Sequence, residues 1–138
     1  MKTLEDLLKE AQKVKPTYRA KPKDEEHKLQ CYCVKWFRYN YPKMIHNLFA
    51  IPNGGRRDAI TGARLKEEGV LSGVSDLILL KSNRFYGALL IEMKTKKGVQ
   101  SENQKIWEQK IAADGYKYVV CRSIEDFKKE VINYLNDV

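Results

Sequence analysis

The stretch SDLILLKSNRFYGALLIEMK, residues 75–94, decides the fold of this chain. Two short apolar segments, residues 77–80 and 88–91, flank a polar centre. Each segment is too short and too continuously apolar to be a solvent-facing helix, so the pattern predicts two buried strands joined by a turn. A symmetric turn centred near Arg84 sets Asp76 opposite Glu92.

Charged side chains cluster at the end of this predicted strand pair. Side chains alternate along a strand, so Glu92 and Lys94 share one face while Met93 points to the other. A structural ion pair is the favoured interpretation of an isolated Glu-x-Lys. Here, however, Asp76 also stands directly before the preceding strand, as the last residue of the glycine-containing loop of residues 73–76. Charged groups at the end of an apolar sheet cost free energy unless they pair with each other or hold a metal. We therefore expect a functional site here.

Length and charge limit the classes of protein to which the chain can belong. The chain has 138 residues, enough for one domain, and 26 Lys and Arg against 18 Asp and Glu give a net charge of +8. A basic excess favours a polyanionic partner such as nucleic acid. No apolar run approaches the ~20 residues that span a bilayer, and the N-terminus lacks a signal-peptide core. We therefore expect a cytoplasmic protein with no membrane contact.

The cysteines and histidines do not favour a zinc site. Three cysteines are too few and too scattered for a disulfide framework. Cys31 and Cys33 lie two apart in a predicted helix, where their side chains diverge, and only Cys121, His27 and His46 remain as soft partners. Chemistry with a metal held by carboxylates is favoured instead.

Helices and strands alternate along the chain. Thr3 is a predicted N-cap, and a basic connector over residues 15–23 carries Pro16 and Pro22. Asp24 is the predicted N-cap of the next helix. The full set of predicted elements is a helix over 4–14, a helix over 24–40, a strand over 47–51, a helix over 58–68, strands over 77–80 and 88–91, a helix from Ser101 to Gly115, a strand over 116–121 and a final helix capped by Ser123.

Two polar residues on these helices have two interpretations each. Glu26 falls on an apolar stripe with Leu29, which predicts that its carboxylate points inward. Alternatively, its negative charge is there only because it is stabilised by the positive N-terminal end of the helix. Gln104 completes a capping box with Ser101, which explains it structurally. It also shares a face with Trp107, so its amide can border the strand ends.

Two further segments carry groups that suit phosphate. Residues 53–55 form a predicted turn with open backbone amides, and residues 95–98 form a basic loop. Neither a Gly-x-Gly-x-x-Gly nor a Walker spacing is present, so a plain turn is the more economical use of the glycines alone. The predicted DNA contacts from these segments and their neighbours are Asn53, Gly54, Arg56, Arg57, Lys96 and Lys97.

The order of these motifs resembles the VRR-NUC nuclease domain of the PD-(D/E)xK superfamily. The resemblance covers residues 24–135, and one motif departs from the superfamily name, because Val74 or Ser75 stands where proline is expected. It implies a restriction-endonuclease-like α/β core, a mixed four-stranded sheet flanked by helices, over residues 24–138. Residues 1–23 would then form an N-terminal helix and basic connector. The motifs that carry the resemblance are Glu26, Asn53-Gly54-Gly55, Gly73-Val74-Ser75-Asp76, Glu92-Met93-Lys94, and Gln104 with Trp107.

The resemblance also implies an activity. It suggests a Mg²⁺-dependent endonuclease, with Mn²⁺ as a substitute, of the short stand-alone type that dimerises and cuts branched DNA such as four-way (Holliday) junctions in bacterial or phage-infected cells. Oxygen ligands suit magnesium, which usually keeps waters and substrate phosphates in its shell. The implied metal ligands are Glu26, Asp76, Glu92 and the Met93 carbonyl, and the implied catalytic residues are Asp76, Glu92, Lys94 and Gln104.

Two other functions remain open at this point. A basic DNA-binding module could keep the fold and use the charged cluster only structurally. A sequence-specific restriction endonuclease is less favoured, because so short a chain leaves little besides the core to read base edges.

Overall fold

A mixed four-stranded sheet forms the centre of the molecule. The computed structural model describes residues 2–7, 22–52 and 59–138. The sheet has the order β1-β2-β3-β4, with two antiparallel pairings followed by one parallel pairing. Its strands are β1 (Leu48–Ala50), β2 (Leu77–Leu79), β3 (Leu89–Met93) and β4 (Lys117–Cys121).

In the described part of the chain, four helices of nine or more residues accompany the sheet in the predicted order. They are α1 (Pro22–Asn40), α2 (Ala59–Glu67), α3 (Glu102–Ala113) and α4 (Ile124–Asn136), with a 3₁₀ turn at Pro42–Met44. Residues 4–7 are also helical, and the Thr3 hydroxyl accepts from the Asp6 amide at 3.3 Å, as its predicted cap requires. The rest of that helix, residues 8–14, lies outside the described residues.

The prediction that Asp24 caps the second helix is wrong. Helix α1 begins at Pro22, which places Asp24 inside its first turn. Proline suits the first helical position, because its φ is already helical and its missing N–H would have no partner there. The acidic first turn, Asp24 and Glu25, then interacts with the positive end of the helix instead of capping it.

The register of β2 and β3 follows the symmetric turn that the sequence predicts. Leu77 pairs with Ile91 and Leu79 with Leu89. One residue beyond, Asp76 therefore lies opposite Glu92. The strands differ from the predicted bounds only at their ends, since β2 stops at Leu79 and β3 continues to Met93.

One face of the sheet carries the hydrophobic core. Alternate residues of β2 and β3 point toward α1 and α4, which pack against each other and against this face. The helices contribute Cys33 and Phe37 from α1 and Phe127, Val131 and Tyr134 from α4, all fully or almost fully buried. The opposite face, which carries Glu92, is covered by α3.

The loop before Asp76 is held against the start of α3. A Cβ on Gly73, whose φ is +92°, would lie 2.5 Å from the backbone of Asn103, so only glycine fits this close approach. The Asn103 amide also donates to the Ser72 hydroxyl at 3.1 Å. The predicted capping box of α3 is confirmed, with Ser101 and Gln104 bonded reciprocally.

Several predicted features lie outside the described residues. They include residues 8–21 and the turn with Asn53, Gly54, Arg56 and Arg57. None of the helices in the described ranges could span a membrane.

Candidate active site

Five predicted site residues line one small cavity at the ends of β2 and β3. The cavity has a volume of about 230 Å³ and lies between the loop that precedes Asp76 and the start of α3. We call it the active-site cavity, after the candidate site that it contains. Its lining includes Glu26, Asp76, Glu92, Lys94 and Gln104.

Asp76 is fixed at the junction of three strands. Its Oδ2 accepts a hydrogen bond of 2.7 Å from the Met93 amide of β3. Its backbone carbonyl accepts from the Ile51 amide, just past β1, at 2.9 Å. The carboxylate is therefore oriented by backbone groups, which leave it little freedom to swing away from the cavity.

Glu92 is buried, with an exposed fraction of 1%, yet it carries several polar contacts. Its Oε1 accepts from the Gln104 amide at 2.8 Å and its Oε2 from the Tyr118 hydroxyl at 3.3 Å. The Lys94 ammonium lies 3.8 Å from Oε1. Burial and then the neighbouring Asp76 carboxylate nevertheless raise the pKa of Glu92 from 4.5 to about 8.

Gln104 serves both uses that the sequence left open. Its Oε1 accepts from the Ser101 amide at 2.9 Å and so completes the helix cap, while its Nε2 donates to Glu92. The helix cap therefore sets the rotamer of the side chain that orients the carboxylate.

A second support for Glu92 was not predicted from the sequence. Tyr118 donates to Glu92 and accepts from the Gln100 amide at 3.2 Å, and the same amide donates to Glu108 at 3.1 Å. The Tyr118 ring packs edge-on against Trp107, with the ring centroids 6.0 Å apart. The only sequence signal is the alternation of side chains along β4. Tyr118 lies two residues before the residue that pairs with Glu92, so both side chains point to the same face of the sheet.

Arg122 is another residue that the sequence analysis missed. Its Nη1 donates to the carbonyls of Thr95 and Gly98 at 2.8 and 2.7 Å, and more weakly to that of Lys96 at 3.5 Å. It thereby clamps the basic loop of residues 95–98, on which Lys96 and Lys97 are both exposed.

Glu26 approaches the cavity from α1. It is half-buried and lines both the active-site cavity and a larger groove that runs along α1. This position agrees with the inward orientation that its place on the apolar stripe predicts.

Comparison with known proteins identifies the family. The family model described as the VRR-NUC domain matches residues 9–125. This chain belongs to the VRR-NUC domain family. A solved structure titled "VRR_NUC domain protein" is 23% identical to this chain. The match covers 82% of this chain and 89% of the chain in that structure, with a TM-score of 0.71, which supports the fold. No curated protein sequence matches the chain.

The VRR-NUC domain indicates a nuclease with DNA as its substrate. Nucleases of this family typically use a divalent metal ion. In the described ranges, no three His, Cys, Asp or Glu side chains gather closely enough to hold an ion by themselves. Mg²⁺, however, is usually held by one or two carboxylates, with waters and substrate phosphates completing the shell. Two adjacent carboxylates, one of them with its pKa raised by the other, fit such an ion, because its charge would offset their repulsion.

Proposed function

We propose that this chain is a metal-dependent, structure-selective endonuclease that hydrolyses phosphodiester bonds in branched DNA, such as four-way (Holliday) junctions. The observation that carries the proposal is the convergence of Asp76, Glu92, Lys94 and Gln104 on one cavity of a VRR-NUC domain. We further propose that it belongs to the PD-(D/E)xK superfamily, as a member of bacterial or phage type with its nuclease domain over residues 24–138.

The proposed ligands of Mg²⁺ or Mn²⁺ are Asp76 and Glu92, together with Glu26 and the Met93 carbonyl. When bound, the ion lowers the pKa of a water molecule and offsets charge on the scissile phosphate. The hydrogen bond from the Met93 amide keeps Asp76 in place for this role. Those from Gln104 and Tyr118 favour the ionised form of Glu92, which is the form that binds a cation.

Lys94 is the proposed electrostatic catalyst. Its side chain is 12% exposed, so its ammonium group is largely shielded from water. A fixed positive charge in such a place stabilises negative charge that develops on the phosphate, or orients the attacking water. The Lys94 ammonium lies 3.8 Å from Glu92 and therefore next to a proposed metal ligand.

The preference for branched DNA is proposed from the net charge of the chain and from the symmetry of a junction. A net charge of +8 suits backbone recognition, to which we assign Lys96 and Lys97, with Asn53, Gly54, Arg56 and Arg57 as further proposed contacts. Such contacts respond to the path of the backbone more than to base identity. A four-way junction needs two symmetric cuts, which a two-fold homodimer supplies.

A panel of labelled DNAs tests this function. Single-stranded, duplex, flap and four-way-junction substrates are incubated with Mg²⁺, with Mn²⁺ or with chelator, beside a mock preparation from cells that lack the protein. We expect cleavage with either ion, strongest on the junction, and none with chelator. Binding without cleavage would indicate a non-catalytic DNA-binding module, and cutting of duplex at one sequence would indicate a restriction endonuclease.

A further inference from the structure

A groove of about 710 Å³ runs along one side of α1. The helix residues that line it recur at helical spacing, so they form one stripe along the axis. At one end the groove reaches the ends of β2 and β3. We call it the α1 groove, and its principal residues are His27, Cys31, Lys35 and Arg38 on the helix and Asp76 and Met93 at the strand ends.

The α1 groove is continuous with the active-site cavity. Asp76 and Glu26 line both. A polymer lying in the groove would therefore have one of its units beside Asp76 and neighbouring units along α1. A groove that was unrelated to the site would not share these two carboxylates.

Charge along the α1 groove changes from acidic to basic. Glu26 and Asp76 lie at the strand end, where the proposed metal would offset their charge. Lys35 and Arg38 follow Glu26 by nine and twelve residues, about 14 and 18 Å along the helix axis at 1.5 Å per residue. Both are exposed, and neither has an ion-pair partner among the described residues. Unpaired cations in a groove are complementary to phosphates.

We propose that the α1 groove binds the sugar-phosphate backbone of the DNA strand adjoining the scissile phosphate, an inference that rests on the proposed nuclease function. In a duplex that lies parallel to α1, the phosphates of one strand advance by about 3.4 Å per step along the axis, so Lys35 and Arg38 would meet phosphates about four and five steps from the one beside Glu26. Cys31 lies between the two ends and faces the bound strand.

Cys31 offers a test that needs no catalysis. It is the exposed cysteine of the three, while Cys33 and Cys121 are buried. Burial also raises the pKa of both buried thiols to about 12, so a maleimide reagent should modify Cys31 alone. With junction DNA bound in Ca²⁺, we expect alkylation of Cys31 to slow at least fivefold. Bound DNA that leaves its alkylation rate unchanged would overturn the proposal.

The double variant Lys35→Ala/Arg38→Ala tests the charge contacts. Two lost phosphate contacts should reduce the slope of log K against log salt by about 1.8, weaken binding roughly tenfold and lessen the protection of Cys31 at equal DNA concentration. The matched control, Arg84→Ala/Lys129→Ala, removes one exposed arginine and one exposed lysine outside the groove. Continued resistance of Cys33 and Cys121 to alkylation confirms that each variant is folded.

The outcomes separate this inference from the proposed function. Equal losses in the groove variant and in its control would overturn the groove as a DNA site, even if the wild-type protein cuts junctions. Protection of Cys31 by DNA that the wild-type protein never cuts would support the groove and contradict the nuclease.

Discussion

At the scale of single residues, the protonation of Glu92 matters most to the proposed metal site, because an ionised carboxylate binds a cation far better than a protonated one. The carboxyl group is buried beside Asp76, and its pKa of about 8 lies above its ordinary value of 4.5. In the unfolded chain Glu92 ionises near 4.5, whereas in the folded protein it keeps its proton until about pH 8. The folded state therefore binds the proton more tightly, and this group destabilises the metal-free protein as the pH rises between those values.

We predict that, in chelator, the free energy of unfolding falls between pH 5 and pH 8.5 because of Glu92. The difference between 4.5 and about 8 corresponds to an upper limit of roughly 5 kcal/mol. Denaturant unfolding of the wild type and of Glu92→Gln across this range measures it. The variant, which resembles the neutral acid, should lose less stability, and added Mg²⁺ should lessen the fall in the wild type. Parallel curves for the two proteins would contradict the assignment.

Tyr118 should lower the pKa of the Glu92 carboxyl group. Its hydroxyl hydrogen bond lowers the pKa of Glu92, against the larger effects of burial and Asp76. Tyr118→Phe should raise that pKa further, so cleavage at pH 7 should fall roughly tenfold, as for other supports of metal ligands. A pH profile of the cleavage rate should show the deficit shrinking toward pH 9. Tyr116→Phe, beside Gly87 at the far end of β4, is the matched control. A deficit that stays constant with pH would exclude this role for Tyr118.

At the scale of elements, Arg122 connects the end of β4 to the loop that follows Lys94. We predict that Arg122→Gln loosens residues 95–98, because the glutamine amide cannot reproduce the contacts of Arg122 with the Thr95 and Gly98 carbonyls. Hydrogen exchange of the loop amides should quicken, and DNA binding should weaken. Arg84→Gln removes the same charge from the hairpin turn and should leave the loop unchanged. Unaltered exchange in Arg122→Gln would show that the loop holds its shape by other contacts.

The sequence predicted the elements that depend on local pattern. The symmetric turn around Arg84 set the β2–β3 register, and the helix caps at Ser101 and Ser123 are signals contained within four residues. The start of α1 was misjudged, because Pro22 fits both a connector and a first helical position.

The contacts that the sequence did not predict join distant segments. Tyr118 meets Glu92 across a parallel pairing whose register no turn determines, since α3 lies between the two strands. Arg122 reaches a loop 24 to 27 residues earlier in the chain. Tertiary packing, and not local pattern, decides both contacts.

At the scale of the whole molecule, one chain carries one proposed site, whereas junction resolution needs two cuts related by a two-fold axis. We predict a homodimer. Leu4 and Leu7 near the N-terminus are 75% and 51% exposed and offer apolar surface for such a contact. Light scattering at micromolar concentration should give about twice the chain mass of 16.1 kDa, and junctions should receive paired, symmetry-related nicks. A strictly monomeric protein that makes paired nicks in one binding event would contradict this assembly.

The most direct test of the central claim is the rate at which Asp76→Asn cuts a four-way junction in Mg²⁺, measured beside the wild type. The substitution removes the charge at nearly constant volume, and the asparagine oxygen can still accept from the Met93 amide, so folding and binding in Ca²⁺ should be preserved. We predict a loss of at least about 10²-fold in cleavage rate, because a carboxamide is a much poorer ligand for Mg²⁺ than a carboxylate. Cleavage by the variant at the wild-type rate would show that the chemistry takes place elsewhere.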